Sequence, residues 1–274
     1  MKYRYQSLPL KKTLSGYTLI PLLFSMLLIS PYGFTKEMKE KSIQYSHILE
    51  LSHPIKESIP LWPGDPEVSF KSVATMSKDG YYLRQFTIGE HSATHMNAPN
   101  SFVDNGQGID SFPASSLVLP AIVINVKAAV KNNPDYIISM KDIQSWEKVN
   151  GQIPAETLVF FNTGWGDYWS TPEKFINQDK QGVLHFPGIS GEVTGFLISQ
   201  RQIGGLGIDT HGLDPSQSEI YQTNTLLATH HKIALECVAN LDQMPVKGAT
   251  IAIGLLRLNQ GSGAPVSITA FIPE

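Results

Sequence analysis

His91-Ser92-Ala93-Thr94-His95-Met96-Asn97-Ala98-Pro99 is the stretch on which the reading of this chain turns. Its two histidines are four residues apart. On a helix that spacing brings side chains to about 5–6 Å, close enough to share a metal ion. On a strand it separates them by roughly 13 Å. Tyr82 to Ile88 alternates apolar and polar residues, which predicts a half-buried strand, and Gly89 follows directly. Pro99 bars a long helix downstream. A tight turn through Ser92-Ala93-Thr94 must therefore supply any proximity. Asn97 adds a further oxygen from the same loop, and the Gly and Pro punctuation places the segment at a strand end, where functional loops sit. Spacing alone leaves His91 and His95 as either metal ligands or ordinary hydrogen-bonded histidines.

Outward from this segment, short apolar runs alternate with Gly/Pro turns. Ile48 to Ser52, Ala121 to Val126, Leu158 to Asn162, Gly204 to Ile208 and Ala249 to Leu258 read as strands. Ser139 to Lys148, Ser190 to Gln202 and Tyr221 to His231 read as helices, the second opening on a Ser cap after Pro187-Gly188. Strands and helices interleave without strict βαβ regularity, which predicts a mixed α/β domain with several antiparallel pairings.

Residues 1–35 differ from the rest. Lys2, Arg4, Lys11 and Lys12 precede the largely apolar run Leu14 to Ile29, the pattern of a secretory signal or an uncleaved N-terminal anchor. Pro21 and the short length weigh against a spanning helix. The expectation is a periplasmic or secreted protein, off the membrane unless the leader is retained, with residues 36–274 as one domain. The whole chain carries −3, and losing the basic leader makes the body more acidic. An acidic body without a Lys/Arg cluster argues against nucleic acid as a partner. The one cysteine, Cys237, cannot close an intrachain disulfide. In an apolar run it reads as a small core residue.

The chain resembles the cyclase family of metal-dependent hydrolases, which includes bacterial kynurenine formamidases and isatin hydrolases. That family's mark is H-x-G-T-H-x-D-x-P-x-H, against H-S-A-T-H-M-N-A-P-N-S here. Further blocks carry the likeness: Leu51 to Ile55, Trp62 to Pro66, Thr163-Gly164-Trp165, Phe186 to Ser190, Gly207 to Thr210, Glu236 to Asp242 and Gly261 to Pro265. The resemblance implies a mixed sheet with flanking helices in one domain of the swivelling β/β/α type. It implies a metal site in which the two histidines and the Asp bind zinc or manganese, and the Asp bridges to a second ion held by a later His and Glu. It implies proton transfer by the last His, attack of an activated water on an amide or formamide carbonyl, and a homodimer or homotetramer with opening-segment aromatics at the pocket.

Carried over by position, His91 and His95 match the ligands and Glu236 the late carboxylate. Asn97 stands in the Asp position, Ser101 in the proton-transfer His position and Asn224 in the second-metal His position, with His230 and His231 nearby as alternative imidazoles. Asn keeps an oxygen of similar reach but removes a full charge, worth several kcal/mol of cation affinity in a site screened from water. An amide also bridges two cations poorly, so at most one divalent ion, zinc or manganese, is expected. Ser101 cannot act as a base near neutral pH. Glu236 is then the base, which leaves it less available as a ligand. Ala93 replaces Gly, at about 1 kcal/mol if the position needs a positive φ.

The expected ligand set is His91, His95, Asn97, Asn224 and Glu236, with Glu236 and Ser101 the candidates for proton transfer. Trp62 and Asp209 are the substrate-binding candidates, although a Trp between prolines also suits a surface anchor and Asp209 also suits a turn cap. His53-Pro54 suggests a structural hydrogen bond, and Trp165 and Trp169 suggest core or interface. Gly261-Ser262-Gly263 lacks the Lys and helix of a phosphate loop and reads as a turn. The leading expectation is a metal-dependent hydrolase of a small amide, formamide or lactam. The rival is a non-catalytic small-molecule binder on the same fold.

Overall fold

The computed structural model describes residues 42–274, so the leader read at residues 1–35 lies outside the described residues. Ser42–Glu274 forms one unit, and among the described residues no helix is long and apolar enough to cross a membrane. The strands are β1 His47–Glu50, β2 Ser69–Ala74, β3 Leu83–Thr87, β4 His95–Asn97, β5 Val118–Asn125, β6 Ile137–Ile138, β7 Leu158–Asn162, β8 Gly188–Ile189, β9 Gly205–Ile208, β10 Ile233–Glu236, β11 Lys247–Leu255 and β12 Gly263–Ile272. The helices are α1 Met76–Asp79, α2 Lys127–Val130, α3 Met140–Asn150, α4 Pro172–Ile176, α5 Gly191–Arg201 and α6 Gln222–Thr229.

Strands β5, β7, β9 and β10 run parallel, side by side. Antiparallel β11 and β12 extend the sheet from β5, and β1 flanks β12. The short β4 pairs with both β10 and β12, which closes β12-β11-β5-β7-β9-β10-β4 into a ring. The expected mixed α/β domain with a mixed sheet is what the chain adopts.

Strand β7 shows why its sequence is an unbroken apolar run. Leu158 and Phe160 pack inside the ring with Met96, Ile251 and Ile268, while Val159 and Phe161 pack outward against Ile143, Val193, Leu197 and Leu227 of the helices. Successive strand residues face opposite sides, so a strand buried on both faces loses its alternation. The helices are capped from the sequence: Ser139 and Asp142 form a capping box on α3, and Ser190 Oγ accepts from Val193 N–H on α5. For α6 the cap comes from afar. Asp214 accepts the Thr223 and Asn224 N–H groups at 2.6 and 3.0 Å.

Two readings are corrected. The half-buried strand expected at Tyr82 to Ile88 is β3, whose five residues are all exposed, because it pairs only with β2 in a separate hairpin. Its alternation is real, but Tyr82 and Phe86 on its more apolar face stay exposed, with the Phe86 ring meeting Phe70 of β2. Strand β12, ten residues long, is not among the expected elements: Gly261-Ser262-Gly263 reads as a turn, yet the strand opens at Gly263 and sets Pro265 opposite His95.

Candidate active site

The site grows from one local feature, the turn between β3 and β4. Ala93 sits at φ 56°, in the left-handed region that disfavours a Cβ, and the chain reverses there into His95. The rings of His91 and His95 thereby come to 5.4 Å, nearly perpendicular. The tight turn, not a helix, brings the pair together. Along β4, Met96 points into the ring interior and is fully buried, so its neighbours His95 and Asn97 share the outer face. Glu236, the last residue of β10, is the cross-strand partner of His95. Thr94 secures the turn: its hydroxyl donates to the Cys237 carbonyl at 2.6 Å and accepts the His53 N–H at 2.9 Å.

Hydrogen bonds connect these groups in one direction. Asn97 Oδ1 lies 2.9 Å from His91 Nδ1, Asn97 Nδ2 donates to Asn224 Oδ1 at 3.2 Å, and Asn224 Nδ2 donates to Glu236 Oε1 at 3.3 Å. The Leu213 N–H also donates to Oε1, at 3.0 Å. Behind His91, its Nε2 lies 2.9 Å from Ser262 Oγ, and Ser262 donates through both N–H and hydroxyl to Glu90. Burial lowers the His91 pKa, and the neighbouring His95 adds to that. His91 Nδ1 donates to Asn97, and the chain of donors ends on the Glu236 carboxylate. Burial alone would push Glu236 up; His95, then the Leu213 N–H and the Asn224 amide, hold it below the ordinary glutamate value.

His95 donates from Nδ1 to the Ala93 carbonyl at 2.9 Å. Its Nε2 lies 3.1 Å from Glu236 Oε2, but the approach misses hydrogen-bond direction, and the buried nitrogen has no partner.

These groups line a cavity of about 260 Å³ together with Trp62, Asp65, Ser101, Phe102, Phe186, His211, Asp214 and Tyr221. Trp62 meets Phe186 edge-on at 5.9 Å and His211 at 5.4 Å, so it belongs to the wall. Ser101 lines the cavity, but its hydroxyl donates to the Ser262 carbonyl. Asp209 is corrected: it is not a lining residue. Its Oδ1 accepts the Thr163 N–H and hydroxyl at 3.0 and 2.6 Å, fastening the loop after β7. His230 is exposed and His231 stacks on Phe112, so neither supplies an imidazole to the cavity. The Gly261-Ser262-Gly263 turn also does more than expected. It backs His91 and holds Ser101.

The donors decide what cation the site suits. Among the described residues no three His, Cys, Asp or Glu side chains gather as a ready metal cluster. Asn224 is spent on Asn97 and Glu236, so the position of the second-metal histidine holds an engaged amide. One dication does fit. The unpartnered His95 Nε2 beside Glu236 Oε2 offers one nitrogen and one oxygen with a single negative charge, and His91 and Asn97 join that set on giving up the 2.9 Å hydrogen bond between them.

Comparison with known proteins gives this geometry its setting. The family described as "Putative cyclase" matches residues 49–215. The chain belongs to the cyclase family. An isatin hydrolase of Roseibium aggregatum is 28% identical over 219 residues, covering 76% of this chain and 82% of that protein. A kynurenine formamidase of Salinibacter ruber is 26% identical over 234 residues, covering 80% and 94%. Among solved structures, isatin hydrolase A from Ralstonia solanacearum superposes with a TM-score of 0.77 at 29% identity, covering 82% of this chain and 92% of that one. An isatin hydrolase bound to the product analogue thioisatinate gives 0.77 at 26% identity, covering 83% and 92%. Amide hydrolysis is thus the family background of this cyclase-family chain.

The residues that sequence reasoning missed are His211, Ser262, Glu90 and Asp214. Asp209 lies at the right strand end, but the side chain that reaches the cavity is the imidazole of His211, two residues later. Ser262 reaches His91 from elsewhere in the fold, and Glu90, the neighbour of His91 in sequence, acts on it through Ser262.

Proposed function

We propose that this cyclase-family protein hydrolyses a small neutral amide, formamide or lactam, with isatin, named by its relatives, as the representative lactam. The observation that carries the reading is His95 Nε2 and Glu236 Oε2, facing each other at 3.1 Å on the floor of an aromatic-walled cavity. Hydrolysis needs a base for the attacking water and a proton for the departing nitrogen. Glu236 is ionised, and its Oε1 is held by Leu213 and Asn224, which leaves Oε2 for proton transfer. It takes a proton as water adds to the carbonyl carbon and returns it to nitrogen as the C–N bond breaks. His91, His95 and Asn97, beside Glu236, would hold a divalent ion such as zinc or manganese, which supplies Lewis acidity toward the carbonyl and lowers the pKa of nearby water.

Charge in the cavity supports a neutral substrate. Asp65, Asp214 and Glu236 line it, and no lining residue is Lys or Arg. A substrate carboxylate finds no Lys or Arg among the described lining residues, and the three acidic side chains disfavour it. The leader adds a periplasmic or secreted location and the family resemblance a homodimer or homotetramer, which cell fractionation and light scattering check.

The test is turnover by the full chain with added Zn²⁺ or Mn²⁺, comparing isatin, N-formylaniline and a formamide bearing a free carboxylate. Neutral substrates are expected to lead in kcat/KM by at least tenfold. Failure to turn over any neutral amide overturns the reading. The paired amides of Asn97 and Asn224 favour a second reading, a binder that holds such ligands without cleaving them. Isatin binding without turnover, with turnover gained in Asn97→Asp, is its signature.

A further inference from the structure

Two buried imidazole nitrogens at the cavity have no hydrogen-bond partner among the described residues, His95 Nε2 and His211 Nε2. The first belongs to the floor already described. His211 comes from a different element, the segment after β9, and is only 6% exposed. Its ring stands on the aromatic wall, 5.4 Å from Trp62 and 6.1 Å from Phe175. The backbone beneath it is fixed: the Cys237 N–H donates to the Thr210 carbonyl at 2.8 Å, and the Thr210 hydroxyl donates to the Gly212 carbonyl at 2.8 Å. Asp209, two residues earlier, is bound to Thr163. The fold thus holds an imidazole rigidly where none of its protein neighbours satisfies Nε2.

A buried polar atom without a partner is costly, and that cost is recovered when a ligand supplies the missing hydrogen bond. The surroundings specify the ligand. Trp62 and Phe186 favour a flat apolar ring, and the three carboxylates without Lys or Arg favour a neutral one. We infer that His211 is a specificity-determining residue, whose Nε2 hydrogen-bonds a polar group on a neutral planar ring ligand lying against Trp62 and Phe186. The ligand's reacting carbonyl then points to His95 and Glu236, a step that rests on the proposed hydrolase reading. The anchoring at His211 does not depend on cleavage.

The test compares His211→Phe, which keeps a flat ring and removes the nitrogens, and His211→Gln, which restores a polar group, with the wild type. Binding of isatin and of indole, the same ring system without carbonyls, is measured by quenching of tryptophan fluorescence in the full chain, with thermal midpoints as a fold check. The wild type is expected to prefer isatin at least tenfold. His211→Phe should lose at least tenfold for isatin and under twofold for indole, with partial recovery in His211→Gln. If isatin is turned over, its KM should rise in His211→Phe while kcat moves less than threefold. Unchanged isatin affinity in His211→Phe, or equal loss for both probes, overturns the inference and leaves the hydrolase reading standing. Binding that follows the expected pattern, with no turnover of isatin or any other neutral amide, upholds the inference and overturns the hydrolase reading. A wild type that binds neither probe overturns the inference.

Discussion

At the scale of single residues, Asn97 sets the character of the site. It occupies the outer face of β4 beside His95 and is linked to His91, Asn224 and, through Asn224, Glu236. A carboxylate there would double the negative charge available to a dication. At an effective dielectric of about 20, one extra charge at 4 Å is worth about 4 kcal/mol per unit of cation charge, before desolvation. Asn97→Asp is therefore expected to tighten Zn²⁺ or Mn²⁺ binding at least tenfold by calorimetry. Unchanged affinity would mean that Asn97 does not face a cation. His53 gives a separate prediction. Burial lowers its pKa to about 4, and the ring stacks on Trp169 at 4.0 Å. The unfolded chain takes up this proton near pH 6.5 and the folded chain only near 4. The stabilisation is thus complete above 6.5 and is lost as pH falls toward 4, on the order of 3 kcal/mol. His53→Phe keeps the stack and should flatten the wild-type decline in urea stability across that window. Parallel pH profiles for the two proteins would sink the assignment.

At the scale of elements, the legible parts were those whose pattern depends on their own residues. β5 and β7 are buried on both faces and read as solid apolar runs; α3 and α5 carry their caps in sequence. β3 kept its alternation but not its burial, because burial depends on what packs against a strand. β12 was hidden because its first residues do two jobs. Gly263 must be small where β12 meets β4: a Cβ there would lie 2.8 Å from His91 Cε1 and 3.0 Å from the Met96 carbonyl. Gly263→Ala should push the His91 ring out of line with Asn97 and Ser262, lowering isatin kcat/KM at least tenfold while the protein stays folded. Full activity in a folded Gly263→Ala protein would show that the His91 position does not matter to the site.

At the scale of the molecule, the site exists because the ring closes. β4 lies between β10 and β12, so Glu236 and Ser262, far apart in sequence, reach opposite sides of the two histidines. Sequence reading reached His91, His95, Asn97, Asn224 and Glu236 through an ordered family resemblance, since their spacing alone did not join them. His211, Ser262 and Glu90 were beyond it because their roles arise from contacts between distant segments. It placed Asp209 at a functional strand end, but the fold turns that carboxylate to Thr163. What the assembled floor offers chemistry is one ionised carboxylate with a free oxygen beside an unpartnered imidazole. The most direct measurement is the rate of isatin ring opening by the full chain with Mn²⁺ or Zn²⁺, wild type against Glu236→Gln, which keeps an oxygen for the Leu213 N–H. The expected result is wild-type turnover falling at least a hundredfold in a folded Glu236→Gln protein; equal rates in the two, or no turnover in either, would contradict it.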